Sequence, residues 1–396
     1  MTDTLKNFDM SGTVTAYPTL AGFRHAGRLR ARGKPWFPFS ADVPRGGGWA
    51  FSGRVALYHG VRLLHLPTPS TILVPSYHEG VELDALIAAG YRVRYYRVDP
   101  GLRIDFGDVA RNLDADVSAL YLTHYFGIPQ PVTAAREFCN THGLRLIEDC
   151  ALALFGQTPD DTWLGSVGDL AIFSIYKTLP VPHGGYYVTN SATGLPRNGN
   201  GNGKVRSPPF KSTLVQSLGL LHHTLDATGW SGIERAATRA AAAVERTLGW
   251  NRGTTVASGG PRWDARLVDY GVSSWTRRLV RFTDPERVVR RRRANYAQLA
   301  KSLRREISVP FPELPLGTCP LSLPILVRER DRVHDRLTAQ GIEAGKYWPV
   351  SHRTCPEDLA AEMSLWRDHC LELPIHQELT KEDMDRVAEA VLTALH

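Results

Sequence analysis

From residue 52 onward the apolar positions follow two rhythms that alternate along the chain. SGRVALYHGVRLL (52–64) places Val55, Ala56, Leu57, Val61 and Leu64 at helical spacing. STILVPSY (70–77) is a short apolar run of the kind that fills a buried strand, and VELDALIAAG (81–90) predicts a helix stopped by Gly90. YRVRYYRVD (91–99) alternates with period two, and VSALYLTHYFG (117–127) predicts a buried strand running into a loop. TAAREFCNTHG (133–143) predicts another helix with a glycine stop, and LRLIEDC (144–150) a strand ending in two acids. DLAIFSIY (169–176) and YYVTN (186–190) predict two further strands. Strands separated by single helices predict an α/β fold, with a mostly parallel sheet covered by helices on both faces.

Residues 1–45 read as irregular, and the Gly-, Asn- and Pro-rich stretch near 191–210 as a flexible surface loop. An Ala-rich helical region follows at about 212–248. The last third changes character. ANYAQLAKSLRR is helical, LSLPILV (321–327) and LELPIH (371–376) are strand-like, and RDRVHDRLTAQG is a helix stopped by Gly341. A final helix is capped by Thr380, with Asp383 completing a loose capping box. These patterns predict a large domain over 1–250 and a smaller C-terminal α/β domain over 251–396.

Composition narrows the class. The chain has 396 residues, 43% hydrophobic and 22% charged, which is globular and excludes a disordered, collagenous or disulfide-stapled chain. No run of about 18 uncharged apolar residues is present and MTDTLKNFDM is not a signal peptide, so the expectation is a cytoplasmic protein without a membrane partner. Five cysteines with no C-x-x-C pair read as reduced thiols. The net charge of +7 fits either nucleic acid or anionic small molecules. No helix-turn-helix, zinc ligand set or aromatic-basic motif supports a nucleic-acid partner, and Arg290-Arg291-Arg292-Arg293 reads as a solvated helix face. No metal-ligand spacing occurs, and no G-x-S-x-G elbow supports hydrolase chemistry.

The chemistry gathers at two strand ends. Glu148-Asp149 closes a buried strand, and in open α/β sheets ligands sit at the carboxyl edge. One strand later Ser174 and Lys177 lie three apart in an apolar setting, followed by Gly184-Gly185. A desolvated lysine loses its proton readily and becomes a nucleophile toward carbonyls. An aspartate facing a pyridinium nitrogen completes what pyridoxal 5'-phosphate requires.

VPSYHEGVELDALIAAG, YLTHYFGIPQP, LIEDCALALFG, LGSVGDLAIFS, RRRANYAQL, LTAQGIEAGKYWPVSH and LELPIHQELTKEDMDRVAEAV occur in that order. Together they resemble the DegT/DnrJ/StrS family of fold-type-I, pyridoxal-phosphate-dependent sugar aminotransferases over roughly residues 50–396. The resemblance implies that Lys177 is the Schiff-base lysine and general base, that Asp149 pairs with the pyridinium nitrogen, and that Ser174 binds the phosphate. It places Gly53 and Arg54 at a phosphate-cradling helix N-terminus, Tyr77 and His78 near the ring-stacking aromatic, and His124, His183 and His352 toward the substrate. It implies a homodimer with shared active sites, in which Ser273 reaches a phosphate across the interface. Its partners would be a small-molecule amine donor, glutamate by analogy, and a keto-sugar, nucleotide-sugar or cyclitol-like acceptor.

The chain also departs from the pattern. Two residues rather than four separate Ser174 from Lys177, Leu152 stands where a polar residue is usual, and Glu79 falls in the column of the stacking aromatic. Dehydration, elimination or decarboxylation on the same cofactor, and a non-catalytic cofactor-binding regulator, therefore stay open as alternatives.

Overall fold

A computed structural model describes residues 14–16, 18, 36–39, 46–190, 206–208, 213, 217 and 263–396. Seven strands form one sheet: β1 (Gly46–Ala50), β2 (Thr71–Pro75), β3 (Arg92–Tyr96), β4 (Val117–Thr123), β5 (Arg145–Asp149), β6 (Leu170–Ser174) and β7 (Gly185–Thr189). Their spatial order is β1-β7-β6-β5-β4-β2-β3. The strands from β3 across to β6 run parallel, whereas β7 and β1 close one edge antiparallel. β1 was not legible, because GGGWA has no apolar alternation and is ordered by pairing with β7.

Alternation along the strands sends side chains to two layers. Ile72, Val74, Ala119, Tyr121, Ile147, Leu170 and Ile172 pack with Val55, Leu57 and Val61 of helix α1 (Gly53–Leu63) and Leu83 and Leu86 of helix α2 (Val81–Ala88). Leu73, Leu120, Leu122 and Leu146 face the other way, against Val132, Ala135 and Cys139 of the helix Val132–His142. All five residues of β2 and of β6 are buried, which is why those strands read as unbroken apolar runs.

The C-terminal part carries a three-stranded sheet in the order β8 (Ser322–Leu326), β10 (Cys370–Pro374), β9 (Gly345–Lys346). Its own core joins Leu323, Ile325, Leu371 and Leu373 to the long helix Pro285–Leu303 and the last helix Lys381–Leu395. Thr380 caps that last helix through a full capping box with Asp383. The boundary expected near 250, the loop at 191–210 and the helix at 212–248 fall largely or wholly outside the described residues. All five cysteines are free thiols. Among the described residues, no helix is long and apolar enough to cross a membrane.

The arginine run is not a solvated face. Arg290 is exposed, but Arg291 donates to the Leu379 carbonyl (2.6 Å) and Arg293 to those of Pro315 and Thr318 (2.8 and 3.0 Å). Arg292 is buried. Its Nε donates to Gln377 Oε1 (2.8 Å), Nη1 to the Pro320 and Leu321 carbonyls (3.1 and 2.9 Å) and Nη2 to the Thr178 carbonyl (3.3 Å). Gln377 Nε2 donates to the same Thr178 oxygen (3.1 Å). Charge counting missed this because a guanidinium can be satisfied by neutral carbonyls as well as by water. Replacing Arg292 by Met strands several buried acceptors at about 1–3 kcal/mol each, so the variant is expected to lose about 3 kcal/mol or more in urea unfolding.

Candidate active site

Four parallel strands end in one place. The segment after β2 delivers Glu79, β4 delivers Tyr121, β5 ends on Asp149 and β6 ends on Ser174. The apolar run DLAIFSIY does not stay extended to its end. Ile175–Thr178 forms a single helical turn, entered by a bond from Ile175 N–H to the Gly184 carbonyl (2.9 Å) and closed by Leu179 N–H on Ile175 (2.9 Å). That turn aims Lys177 back into a cavity of about 570 Å³.

One wall is the N-terminus of α1. Its N-cap, Ser52, makes no side-chain capping bond, and Ser52 Oγ is buried without a partner. The first turn of α1 contains no acidic residue, so its unsatisfied N–H groups face the cavity uncompensated. Space is kept by glycine at two points. A Cβ on Gly53 would press on Ser174 Cβ at 3.3 Å, and one on Gly185 would overlap the Ser52 carbonyl oxygen at 2.1 Å. An orphaned hydroxyl, open N–H groups, Ser174 and Arg54 together suit a phosphate monoester.

Opposite lies Asp149, a buried acid whose Oδ2 accepts from Tyr121 Oη–H (2.8 Å) and Oδ1 from Ala151 N–H (2.9 Å). Burial pushes its pKa up, and those two hydrogen bonds and the Lys177 charge work against the push. An acid so placed favours a cationic ring nitrogen beside it, so Asp149, Lys177 and the α1 terminus could hold a phosphorylated pyridine between them. Lys177 Nζ stands 3.8 Å from Glu79 Oε2. Glu82, at the start of α2, also lines the cavity and accepts from Glu79 N–H (3.1 Å). The C-terminal part adds Lys346, Trp348, Pro349 and Val350.

The structure therefore brings together Lys177, Asp149, Ser174, Gly53 and Arg54. The other candidates do not line this cavity. Tyr77 is sealed in an aromatic cluster with Tyr125, Tyr347 and Trp348, its hydroxyl donating to the Tyr347 carbonyl (3.0 Å). His78 is buried between the Pro75 carbonyl (3.2 Å) and the backbone N–H of His352 (3.0 Å), which fixes it neutral, and burial drives its pKa down to about 3.

His124 accepts from Gln130 N–H at Nδ1 (3.1 Å) and donates from Nε2 to Glu148 (3.2 Å), with no surface exposed. Glu148 accepts further bonds from the N–H groups of Gly165, Val167 and Gly168. His124, Glu148 and Cys150 hold three possible ligand atoms within 4.8 Å, but these bonds already occupy the imidazole and the carboxylate. His183 stacks on Phe51 with ring centroids 5.0 Å apart, and burial lowers its pKa to about 4. His352 donates to Asp84 Oδ1 (3.1 Å). Ser273 caps the helix Ser274–Arg281, accepting from Thr276 N–H (3.1 Å).

Sequence reasoning did not single out Glu82 or the residues Lys346, Trp348, Pro349 and Val350 as lining the site, although the latter lie in the segment LTAQGIEAGKYWPVSH.

Residues 51–194 and 274–392 match the DegT/DnrJ/EryC1/StrS aminotransferase family. The chain belongs to that family. It is 28% identical to GDP-perosamine synthase of Vibrio cholerae over 143 residues, 35% of this chain and 39% of the relative. It is 24% identical to UDP-N-acetyl-3-dehydro-alpha-D-glucosamine 3-aminotransferase of Acidithiobacillus ferrooxidans over 376 residues, 90% of this chain and 86% of the relative. Among solved structures it resembles NtdA of Bacillus subtilis, solved with bound cofactor PMP, at 17% identity and a TM-score of 0.56, covering 88% of this chain and 73% of that one. The latter likeness is one of fold.

Burial, followed by the Glu79 and Asp149 carboxylates, raises the pKa of Glu82 from 4.5 to about 8. Between those values the folded chain holds a proton that the unfolded chain has released, so this group's contribution to stability is complete below pH 4.5 and lost as pH rises through 8. Glu82→Gln is expected to flatten that decline, by up to about 1.4 kcal/mol per pH unit, in urea unfolding compared at pH 5 and pH 9.

Proposed function

We propose that this chain is a pyridoxal-phosphate-dependent aminotransferase moving an amino group from an amino acid, glutamate in the first instance, to a keto-sugar, nucleotide-sugar or cyclitol-like acceptor. One observation carries the reading: Lys177, Asp149 and the open N-terminus of α1 share a single cavity at the carboxyl edge of the sheet. Ser52, Ser174 and the first N–H groups of α1 hold the phosphate. Asp149, fixed by Tyr121 and Ala151, keeps the ring nitrogen protonated. When bound, the cofactor takes up the electron pair left behind as a Cα proton departs. Lys177 accepts that proton from one position and returns it at another, a general-base role that contributes about 10²–10⁴-fold. Trp348 and Pro349, which line the cavity, help exclude water from the lysine.

The names of both relatives point to nucleotide-linked sugars, and Arg54 and Lys346 at the cavity supply positive charge for a phosphorylated acceptor. We extend the proposal to a cytoplasmic homodimer in which Ser273 serves the neighbouring subunit's site. Supporting this, Trp275 and Phe282 stand seven residues apart on or just past its helix and are 46% and 45% exposed.

The test incubates the protein with pyridoxal phosphate, glutamate and a panel of nucleotide-linked keto-sugars, and follows aminated product by mass spectrometry. Product is expected with at least one of them, and Lys177→Ala is expected to lower its rate by about 10² or more. Glutamate alone should yield about one equivalent of keto acid per site; its absence would favour elimination or decarboxylation.

A further inference from the structure

We propose that Glu79 is the counter-ion of Lys177, a positioning residue that holds the ammonium in the cavity and sets the pH at which it gives up its proton. The inference rests on Lys177 being the reactive amine. Its geometry begins with the 3.8 Å approach of Oε2 to Nζ, the lysine side chain largely shielded at 15% exposure and the glutamate partly exposed at 34%. At that separation an opposite charge beside a shielded amine favours its charged form.

Glu79 is anchored on both sides. Before it, His78 is pinned between Pro75 and His352. After it, Gly80 turns the chain in the left-handed region (φ 100°) into α2, where a Cβ would meet His352 at 3.5 Å. The Glu79 N–H is held by Glu82. The carboxylate is thus delivered to the lysine by a backbone with little freedom.

Among the described residues, the other charged or titratable groups around Lys177 do not replace it. From α2, Glu82 is kept protonated at neutral pH by burial and by its acidic neighbours. From β5, Asp149 is engaged by Tyr121, which reaches it from β4, and by Ala151. From β10, Glu372 is buried, accepts from Ser322 Oγ–H (2.7 Å) and is likewise shifted up. Arg54 of α1 and Lys346 of β9, the latter paired with Asp331 (2.8 Å), are cations and do not draw the ammonium.

The experiment labels the full chain, before pyridoxal phosphate is added, with trinitrobenzenesulfonate between pH 6 and 10, and follows the Lys177 peptide by mass spectrometry. Glu79→Gln is expected to lower the midpoint of amine reactivity by about one pH unit, so that labelling at pH 7 is about tenfold faster. Glu79→Asp should fall between the two. Glu82→Gln should leave the labelling rate at pH 7 unchanged, because that group carries no charge below about pH 8. An unchanged midpoint in Glu79→Gln, or an equal gain in labelling at pH 7 in Glu82→Gln, overturns the proposal. Because this readout needs neither cofactor nor turnover, a shifted midpoint in a chain that makes no aminated product would uphold the ion pair while removing the aminotransferase reading. Normal product with an unshifted midpoint would do the reverse.

Discussion

The site depends on holding opposite charges in one cavity with little water. Asp149 is buried at the end of β5 and Lys177 sits on the turn after β6. Each charge would be costly alone in such surroundings, and each lowers the cost of the other. Parallel strands make the arrangement possible. Their carboxyl ends lie side by side, so residues far apart in sequence reach one cavity without long loops. The antiparallel β7 then brings Gly185 against the first residues of α1 so closely that a side chain there has no room.

Much of this was legible from rhythm alone. The order of strands and helices from 52 to 190 follows from apolar spacing and glycine stops, because buried parallel strands and their covering helices leave strong patterns. The pair Glu148-Asp149 was legible as chemistry, but the difference between its members was not. Neighbouring residues on a strand face opposite layers. Asp149 therefore reaches the cavity, while Glu148 closes a knot of backbone N–H groups with His124. Three of the candidates that fall outside the cavity share one trait: each has a polar group that finds a backbone partner within the fold. Tyr77, His78 and His124 look like site residues because they are polar at strand ends, and they are absorbed into the interior because carbonyls and N–H groups are available there.

Glu79 shows how a departure from a family pattern gains meaning only in three dimensions. In the sequence it is an acid in a column of aromatics. In the fold it is a carboxylate within reach of Lys177. The neighbouring Glu82 has the same side chain yet the opposite electrostatic character, because deeper burial beside two other acids keeps it neutral.

The buried guanidinium of Arg292 carries a mechanical consequence. It grips the Thr178 carbonyl from the long C-terminal helix, Gln377 grips the same oxygen from beyond β10, and Thr178 adjoins Lys177 in the chain. The small sheet and the amine-bearing turn are therefore geared together. If the segment carrying Trp348 swings toward or away from the mouth as part of the small sheet, the tether transmits that swing to the base of the lysine, so opening the door and re-aiming the tool become a single stroke.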